Sequence, residues 1–241
     1  GETIPVPAAQ ARNSRSAAVR TRCTESGEHF EALRGYDNRL TVAKGAIGMQ
    51  QVQCEECGES CPHYDIVSYG TTGQGYRQLC SRCFNAEVAK QTGQGDFENV
   101  RFEPVGMLDN AGQWHEFHFR TRLLRNVVAL DAFELSEGNP AGYQFQTVGD
   151  PDDDVLILLG QLIEKMRRAL SVQHLTDTEH GLQIADQTVR GRIEWDDSVV
   201  ERTPLIVVDG REISWEEFGR MLMVFEGWQF KLEISDPSEE P

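Results

Sequence analysis

The sequence lacks the features that identify a helical membrane protein or a common enzyme. No stretch approaches the roughly 18 to 20 consecutive apolar residues that a transmembrane helix needs. The sequence also contains no nucleophile elbow (G-x-S-x-G), no phosphate-binding loop (G-x4-G-K-S/T) and no two-histidine zinc motif (H-E-x-x-H). We therefore expect a soluble, cytoplasmic chain without the motifs of serine hydrolases, NTPases or zinc proteases.

Basic residues are scarce relative to acidic ones. The 241 residues include 23 Lys and Arg against 39 Asp and Glu, which gives a net charge of −16. A protein that binds nucleic acid through general electrostatics needs clustered Lys and Arg to neutralise phosphates. The charge therefore argues against this mode for the chain as a whole, although a local basic site stays open.

Four of the six cysteines form two pairs, Cys54-x2-Cys57 and Cys80-x2-Cys83, which are separated by 22 residues. This is the spacing of a two-knuckle zinc site. Two such tight turns supply four sulfur ligands at about 2.3 Å and leave no open coordination position. Gly58 follows the first pair and offers the permissive backbone that such a turn needs. The sequence therefore predicts one structural Zn²⁺ held by these four cysteines.

Other interpretations of the cysteines stay open at this stage. Disulfides would suit a secreted chain, but we see no secretory signal, and a thioredoxin-like redox pair lacks its usual strand-to-helix context. Cys61 and His63 lie close enough to the first pair to replace a ligand or to pack beside it. Cys23 is expected to be a free thiol.

The residues around the second pair predict a hairpin followed by a helix. Residues 63–69 alternate like a strand, a glycine-rich turn at 70–75 leads to a return strand, and the second cysteine pair precedes the helix-forming residues 84–90. In this order, residues 53–90 resemble treble-clef zinc fingers such as the zinc-binding domain of the ClpX unfoldase and GATA-type fingers. The resemblance rests on Cys54, Cys57, Cys80 and Cys83.

This resemblance implies two different roles. A GATA-like finger reads DNA with basic residues in and beyond its helix, whereas residues 87–96 contain one lysine and two acids. A ClpX-like finger mediates protein contacts, and nothing in the sequence conflicts with that role. The resemblance therefore favours a protein partner over DNA.

The rest of the chain predicts an α+β fold, with a mostly antiparallel sheet domain and two helices following the zinc module. An aspartate run at 150–154 precedes apolar residues with helical period and is expected to cap that helix instead of binding calcium. Asp209-Gly210 predicts a type I′ hairpin turn. The remaining expected elements are strands at 99–108, 113–124, 126–135, 142–148, 204–208 and 211–213, a loop at 173–181, a helix after Ser214 with an apolar stripe of Trp215, Phe218, Leu222 and Phe225, and a half-buried strand at 228–234.

Few residues suggest catalysis. Glu116 and His118 share one face of the strand predicted at 113–124 and could form an acid/base pair, although a surface pair is the simpler interpretation. His115 points to the opposite face. Arg120 and Arg122 lie on the face of Glu116 and could hold an anionic ligand or be solvated.

Three functional hypotheses follow. We favour a non-enzymatic, zinc-stabilised protein of bacterial type that binds a partner protein and acts as an interaction or regulatory module. The alternatives are a nucleic-acid-associated factor that uses an arginine-bearing N-terminal arm with the finger, and a hydrolase or nuclease with an unrecognised site. The expected organisation is a flexible arm at 1–22, a lead-in segment at 23–52, the zinc module at 53–91, an acidic domain at 97–235 and an acidic tail at 236–241.

The substitution Cys80→Ser is expected to release the metal and to unfold residues 53–90. Metal binding supplies much of the stability of such small modules, on the order of 10 kcal/mol for zinc-finger peptides. The acidic domain is expected to keep its own core. Elemental analysis and limited proteolysis check both points, and unchanged protease resistance of residues 53–90 would contradict the prediction.

Overall fold

A computed structural model of the chain describes residues 51–71, 73, 75–95, 97–199 and 202–239. The predicted arm at 1–22, nearly all of the lead-in segment and Cys23 lie outside the described residues. The predicted α+β class is confirmed, because three α-helices accompany sheets whose strands pair antiparallel. None of the helices that the structure describes is long and apolar enough to cross a membrane.

The cysteine-bearing part begins with a short ribbon and continues into a hairpin and a helix. The ribbon pairs Gln51–Gln53 (β1) with Ser60–Pro62 (β2), and the hairpin pairs Ile66–Thr71 (β3) with Gly75–Cys80 (β4). Helix α1 follows at once as Ser81–Thr92. The predicted elements are present in the expected order, but the strand predicted from residue 63 begins at Ile66 because His63–Asp65 form a 3-10 turn, and the helix begins three residues earlier than expected.

A four-stranded antiparallel meander forms the middle of the chain. Its strands are Val105–Leu108 (β5), Trp114–Leu124 (β6), Val127–Ser136 (β7) and Asn139–Gly149 (β8), in that spatial order. The meander was predicted, but its first strand begins at Val105 instead of residue 99. Helix α2, Val155–Leu170, follows the meander. The Asp154 side chain accepts a hydrogen bond from Leu156 N at 2.8 Å, so the predicted N-terminal cap is confirmed.

The C-terminal part contains two smaller sheets. Residues 173–181, expected as a loop, instead include most of a hairpin because Leu175–Thr178 (β9) pairs with Gly181–Ile184 (β10). Asp209 and Gly210 have φ values of 50° and 71°, which confirms the type I′ turn. A three-stranded sheet comprises Arg192–Trp195 (β11), Pro204–Val208 (β12) and Arg211–Ser214 (β13), and helix α3, Trp215–Leu222, follows it.

The apolar stripe predicted for the last helix is partly wrong. Trp215 and Leu222 are 51% and 46% exposed, whereas Met221 is buried and Phe218 packs against the neighbouring core. The helix ends at Leu222, and a single 3-10 turn follows it instead of further α-helix. Phe225 therefore lies beyond α3, and the predicted set of four residues is not the buried face of this helix.

The half-buried strand predicted at 228–234 is wrong. Trp228, Leu232 and Ile234 are 62%, 72% and 73% exposed, and Phe230 is 91% exposed. These residues pair with no strand in the described part of the chain. Alternating hydrophobicity predicts a strand only where a sheet edge receives it, and the sequence does not show whether an edge is available.

Two hydrophobic cores run through the described residues. The smaller core joins the two C-terminal sheets to α3 through residues such as Leu175, Val208, Ile213 and Met221. The larger core unites the cysteine-bearing part with the meander and α2. Its buried members include Cys54, Leu79, Cys80, Phe84, Val88, Phe117, Leu123, Leu130, Leu158, Leu162 and Met166.

A buried asparagine joins α1 to the meander. The Asn85 side chain is fully buried, accepts a hydrogen bond from Leu123 N at 2.8 Å, and donates to Thr121 O at 2.9 Å. Strand β5 pairs only with Trp114 to Phe117 of β6. Asn85 therefore satisfies backbone groups of β6 that β5 is too short to reach.

We expect Asn85→Ala to lower the free energy of unfolding by about 2–5 kcal/mol, because it leaves Leu123 N and Thr121 O buried without these partners. Lys90→Ala, on the exposed face of the same helix, is the matched control and should change stability by less than about 0.5 kcal/mol. Urea unfolding monitored by circular dichroism measures both. If the unfolding curves of Asn85→Ala and Lys90→Ala had the same midpoint and slope, the hydrogen bonds of Asn85 would not contribute to the stability of the contact between α1 and the sheet.

Candidate metal centre

The four predicted ligand atoms converge in the structure. The sulfurs of Cys54, Cys57, Cys80 and Cys83 all lie within 4.8 Å of one another, and the Cys57 and Cys80 sulfurs are 4.0 Å apart. Sulfurs at the corners of a tetrahedron around zinc, each at about 2.3 Å, would be about 3.8 Å apart. The spacing therefore fits a four-thiolate zinc site.

Two local structures place these sulfurs. Cys54 and Cys57 flank a turn in which Gly58 N donates to Cys54 O at 2.9 Å, and the positive φ of Gly58, 73°, reverses the chain. Cys80 ends β4 and is the N-terminal cap residue of α1, and Cys83 lies in the first turn of that helix. The first pair thus comes from a turn and the second pair from a strand-to-helix junction.

Backbone N–H groups favour the ionised form of one sulfur. Burial by itself would raise the pKa of Cys54, but N–H groups of Cys57 and Cys80 lower the pKa to about 6. The Cys80 N–H lies 3.3 Å from the Cys54 sulfur. Because thiolates are the metal-binding form of cysteine, this residue is prepared for coordination.

The environment of Cys80 and Cys83 disfavours their ionised form when no cation is nearby. Burial holds the pKa of Cys80 and of Cys83 above the ordinary thiol value, and hydrogen bonding among the four sulfurs adds to the effect at Cys83. A divalent metal reverses this balance because a coordinating thiol is deprotonated. Zn²⁺ would leave a net charge of −2 on a four-thiolate site. A hydrogen bond with Cys57 raises the pKa of the nearby Arg82 guanidinium, so this cation is placed to offset part of that charge.

The two additional candidates lie outside the cluster. The group of converging ligand atoms contains neither Cys61 nor His63. Cys61 is buried, its sulfur lies 3.8 Å from Glu59 O, and burial raises its pKa to about 11. His63 Nδ1 lies 3.0 Å from Asn139 Oδ1 at the start of β8. Neither residue therefore belongs to the set of converging ligands.

The arginines proposed as an anion site are paired internally. Both Arg120 and Arg122 donate to the carboxylate of Asp131, which is 6% exposed and also accepts from Gln146. Arg120 donates in addition to Tyr64 O at 2.8 Å. These arginines are only partly exposed, and their donors serve a buried carboxylate instead of an anionic ligand.

The predicted pair on β6 does form. His118 Nε2 lies 3.2 Å from Glu116 Oε1, and Glu116 is largely exposed, with 62% of its side chain accessible. His118 packs against the ring of Tyr64, with ring centroids 5.6 Å apart. The geometry fits a surface pair on one face of the strand.

A second histidine cluster lies on the opposite face of β6. His115 is 4% exposed, its Nδ1 lies 2.8 Å from Glu134 Oε1, and its Nε2 lies 3.3 Å from Asp109 Oδ2. The other Glu134 oxygen accepts from Tyr143 N at 2.7 Å, beside a shift of strand register between Phe133 and Glu134. Sequence spacing showed only that His115 faces away from His118. The enclosed ring joins the β5–β6 turn to the irregularity in β7 and is closed to a substrate.

Three family models match the chain, and each is described as a domain of unknown function. They are DUF7685 at residues 53–94, DUF7686 at 98–171 and DUF7713 at 174–239. The first spans all four clustered cysteines and α1, the second spans the meander and α2, and the third spans the smaller core and the exposed residues after it. No curated protein and no solved structure matches the chain.

Metal analysis of two variants tests the ligand set. Cys83→Ser is expected to lose the metal, because it removes one of the four converging sulfurs, whereas Cys61→Ser should keep the wild-type content of one zinc per chain. Both variants replace a single thiol of the cysteine-bearing part by a hydroxyl, so Cys61→Ser is a matched control. Zinc retained in Cys83→Ser, or lost in Cys61→Ser, would show that the ligand set is different.

Proposed function

We propose that this chain is a non-enzymatic, cytoplasmic protein-binding module whose zinc is structural. The observation that carries the proposal is a run of exposed apolar side chains that begins directly after α3. Its members and their exposed fractions are Met223 61%, Val224 64%, Trp228 62%, Phe230 91%, Leu232 72% and Ile234 73%.

A run of this kind is unusual on the surface of a globular protein. Single exposed apolar side chains are common and need no explanation, but contiguous apolar patches usually mark a site where another molecule binds. Tryptophan and phenylalanine are also enriched at the residues that dominate binding energy in protein interfaces. The run lies within the third matched region, residues 174–239. This supports the interpretation that these residues are part of a domain that recurs in other proteins.

The chemistry of the cysteine site supports a structural role for the metal. Four thiolates fill the tetrahedron of Zn²⁺ and leave no position for water or substrate. The bound ion would join the turn at Cys54 to the start of α1, and its contribution would be to folding. No step of catalysis follows from this arrangement.

The basic residues near the cysteines give the nucleic-acid alternative little support. Arg77 pairs with Glu56 and Arg82 pairs with Glu59, each at 2.9 Å. A finger that binds phosphates presents its cations to the ligand, whereas these cations already face carboxylates. Together with the net charge of −16, this favours a protein partner.

Paired affinity purifications from the source cell test the proposal. Trp228→Ser/Phe230→Ser should recover its protein partner at least about tenfold less efficiently than wild type, since aromatic anchors carry much of the energy of an interface. Leu156→Ser/Ile157→Ser is the matched control, because these α2 side chains are also exposed, at 62% and 61%, and it should behave like wild type. Recovery of no protein by the wild type, neither another chain nor a second copy, would contradict the proposal.

A further inference from the structure

The residues after α3 form a segment that is fixed at both ends and unpaired between them. At one end Trp228 N donates to Phe225 O at 2.9 Å, and beyond the other end Lys165 of α2 donates to Pro237 O at 2.8 Å. Among the described residues, no backbone hydrogen bond involves residues 229–235. We name residues 228–235 the exposed segment.

The exposed segment has two chemically different faces. Lys231 and Glu233 form an ion pair at 3.0 Å, so residues two apart lie on the same side, as they do in an extended strand. The sequence Trp-Gln-Phe-Lys-Leu-Glu-Ile then places its apolar residues on the other side. An extended backbone with unmade hydrogen bonds and one apolar face is a template for pairing with another strand.

The charges of the exposed segment specify which strand fits. In an antiparallel pair of two identical segments centred on Leu232, Lys231 of each copy lies opposite Glu233 of the other, and Phe230 lies opposite Ile234. Centring the pair on Lys231 would place two lysines opposite each other, and centring it on Phe230 would place Lys231 opposite Gln229. Opposite charges across a strand pair stabilise it and like charges destabilise it. The Leu232-centred register is therefore complementary to itself.

We propose that a second copy of this chain occupies the exposed segment, through two-fold antiparallel pairing centred on Leu232. This inference rests on the proposed function and names the partner. Two copies make the backbone hydrogen bonds that each segment lacks and bring their apolar faces together on one side of the ribbon. Met223 and Val224, which precede the segment in sequence, are exposed as well, at 61% and 64%.

The available surface and charge are compatible with such a dimer. Aromatic side chains bury about 150–250 Å² each, so the four apolar residues of the segment expose on the order of 500 Å² per copy. Two copies together carry on the order of 1,000 Å² of apolar surface, which is close to the lower limit for a specific interface, and cross-strand contacts bury part of it. The net charge of −16 opposes association at low ionic strength. At 0.15 M salt the Debye length is about 8 Å, so charges away from the contact are largely screened.

Charge reversal tests the register. Analytical ultracentrifugation of the purified, zinc-loaded chain at physiological salt should detect a concentration-dependent dimer. Lys231→Glu and Glu233→Lys should each weaken the dimer about tenfold or more, because each places like charges opposite one another twice. The double variant Lys231→Glu/Glu233→Lys restores both pairs in the opposite sense and should recover the wild-type dissociation constant.

Cross-linking tests the centre of symmetry independently of the charged residues, at protein concentrations where each variant is dimeric. Leu232→Cys lies opposite itself in the proposed pair, so mild oxidation should produce a covalent dimer. Phe230→Cys lies opposite Ile234 of the other copy and should not cross-link. Wild type oxidised in parallel controls for the native cysteines, and circular dichroism with zinc analysis confirms that each variant is folded.

The outcomes separate this inference from the proposed function. A monomer at all concentrations, or failure of the double charge swap to restore the dimer, would overturn pairing with a second copy. Equal cross-linking of Leu232→Cys and Phe230→Cys would overturn the register and with it the proposal. If such a monomeric chain still recovers another protein through Trp228 and Phe230, the proposed function stands and only the identity of the partner is wrong.

Discussion

The convergence of four cysteine sulfurs is the constraint on which the first part of the described structure depends. Among the described residues from Cys54 to the end of α1, nine are buried, and two of them, Cys54 and Cys80, belong to the converging set. A segment of about forty residues rarely builds an independent apolar core. A metal that joins these sulfurs would supply the missing stability, and α1 supplies the rest by packing Phe84 and Val88 against the meander.

This arrangement connects the metal site to the sheet through a short path. Cys80 is the cap of α1, and Asn85, one turn into the same helix, bonds to the backbone of β6. The position of α1 is thus defined at its start by sulfur and along its side by a buried amide. That the meander keeps its structure without the metal stays a prediction. Because the cysteine-bearing part and the meander share one core, loss of the metal tests whether the meander depends on it.

The carboxylates inside the meander and the apolar side chains on the surface have different roles in this protein. Asp131 is buried and Glu134 is partly buried, and each has at least two hydrogen-bonding partners in the meander, so both carboxylates serve the fold. In the exposed segment, Trp228 contacts the ring of Phe225, yet all four apolar side chains are at least 62% exposed. Exposed aromatic residues of this kind are the observation on which the proposed binding role rests.

Local rules determined much of this protein from sequence alone. The spacing of the cysteines predicted the four candidate metal ligands. The aspartate run predicted the α2 cap, and Asp209-Gly210 predicted its hairpin turn. Each of these features depends on residues that are close together in the chain. Tertiary structure decided what depends on distant partners. It paired Arg120 and Arg122 with Asp131, enclosed His115 between Asp109 and Glu134, and left residues 228–234 without a sheet. Periodicity specifies which face of a strand is apolar, but only the folded arrangement of the other strands decides whether anything covers it.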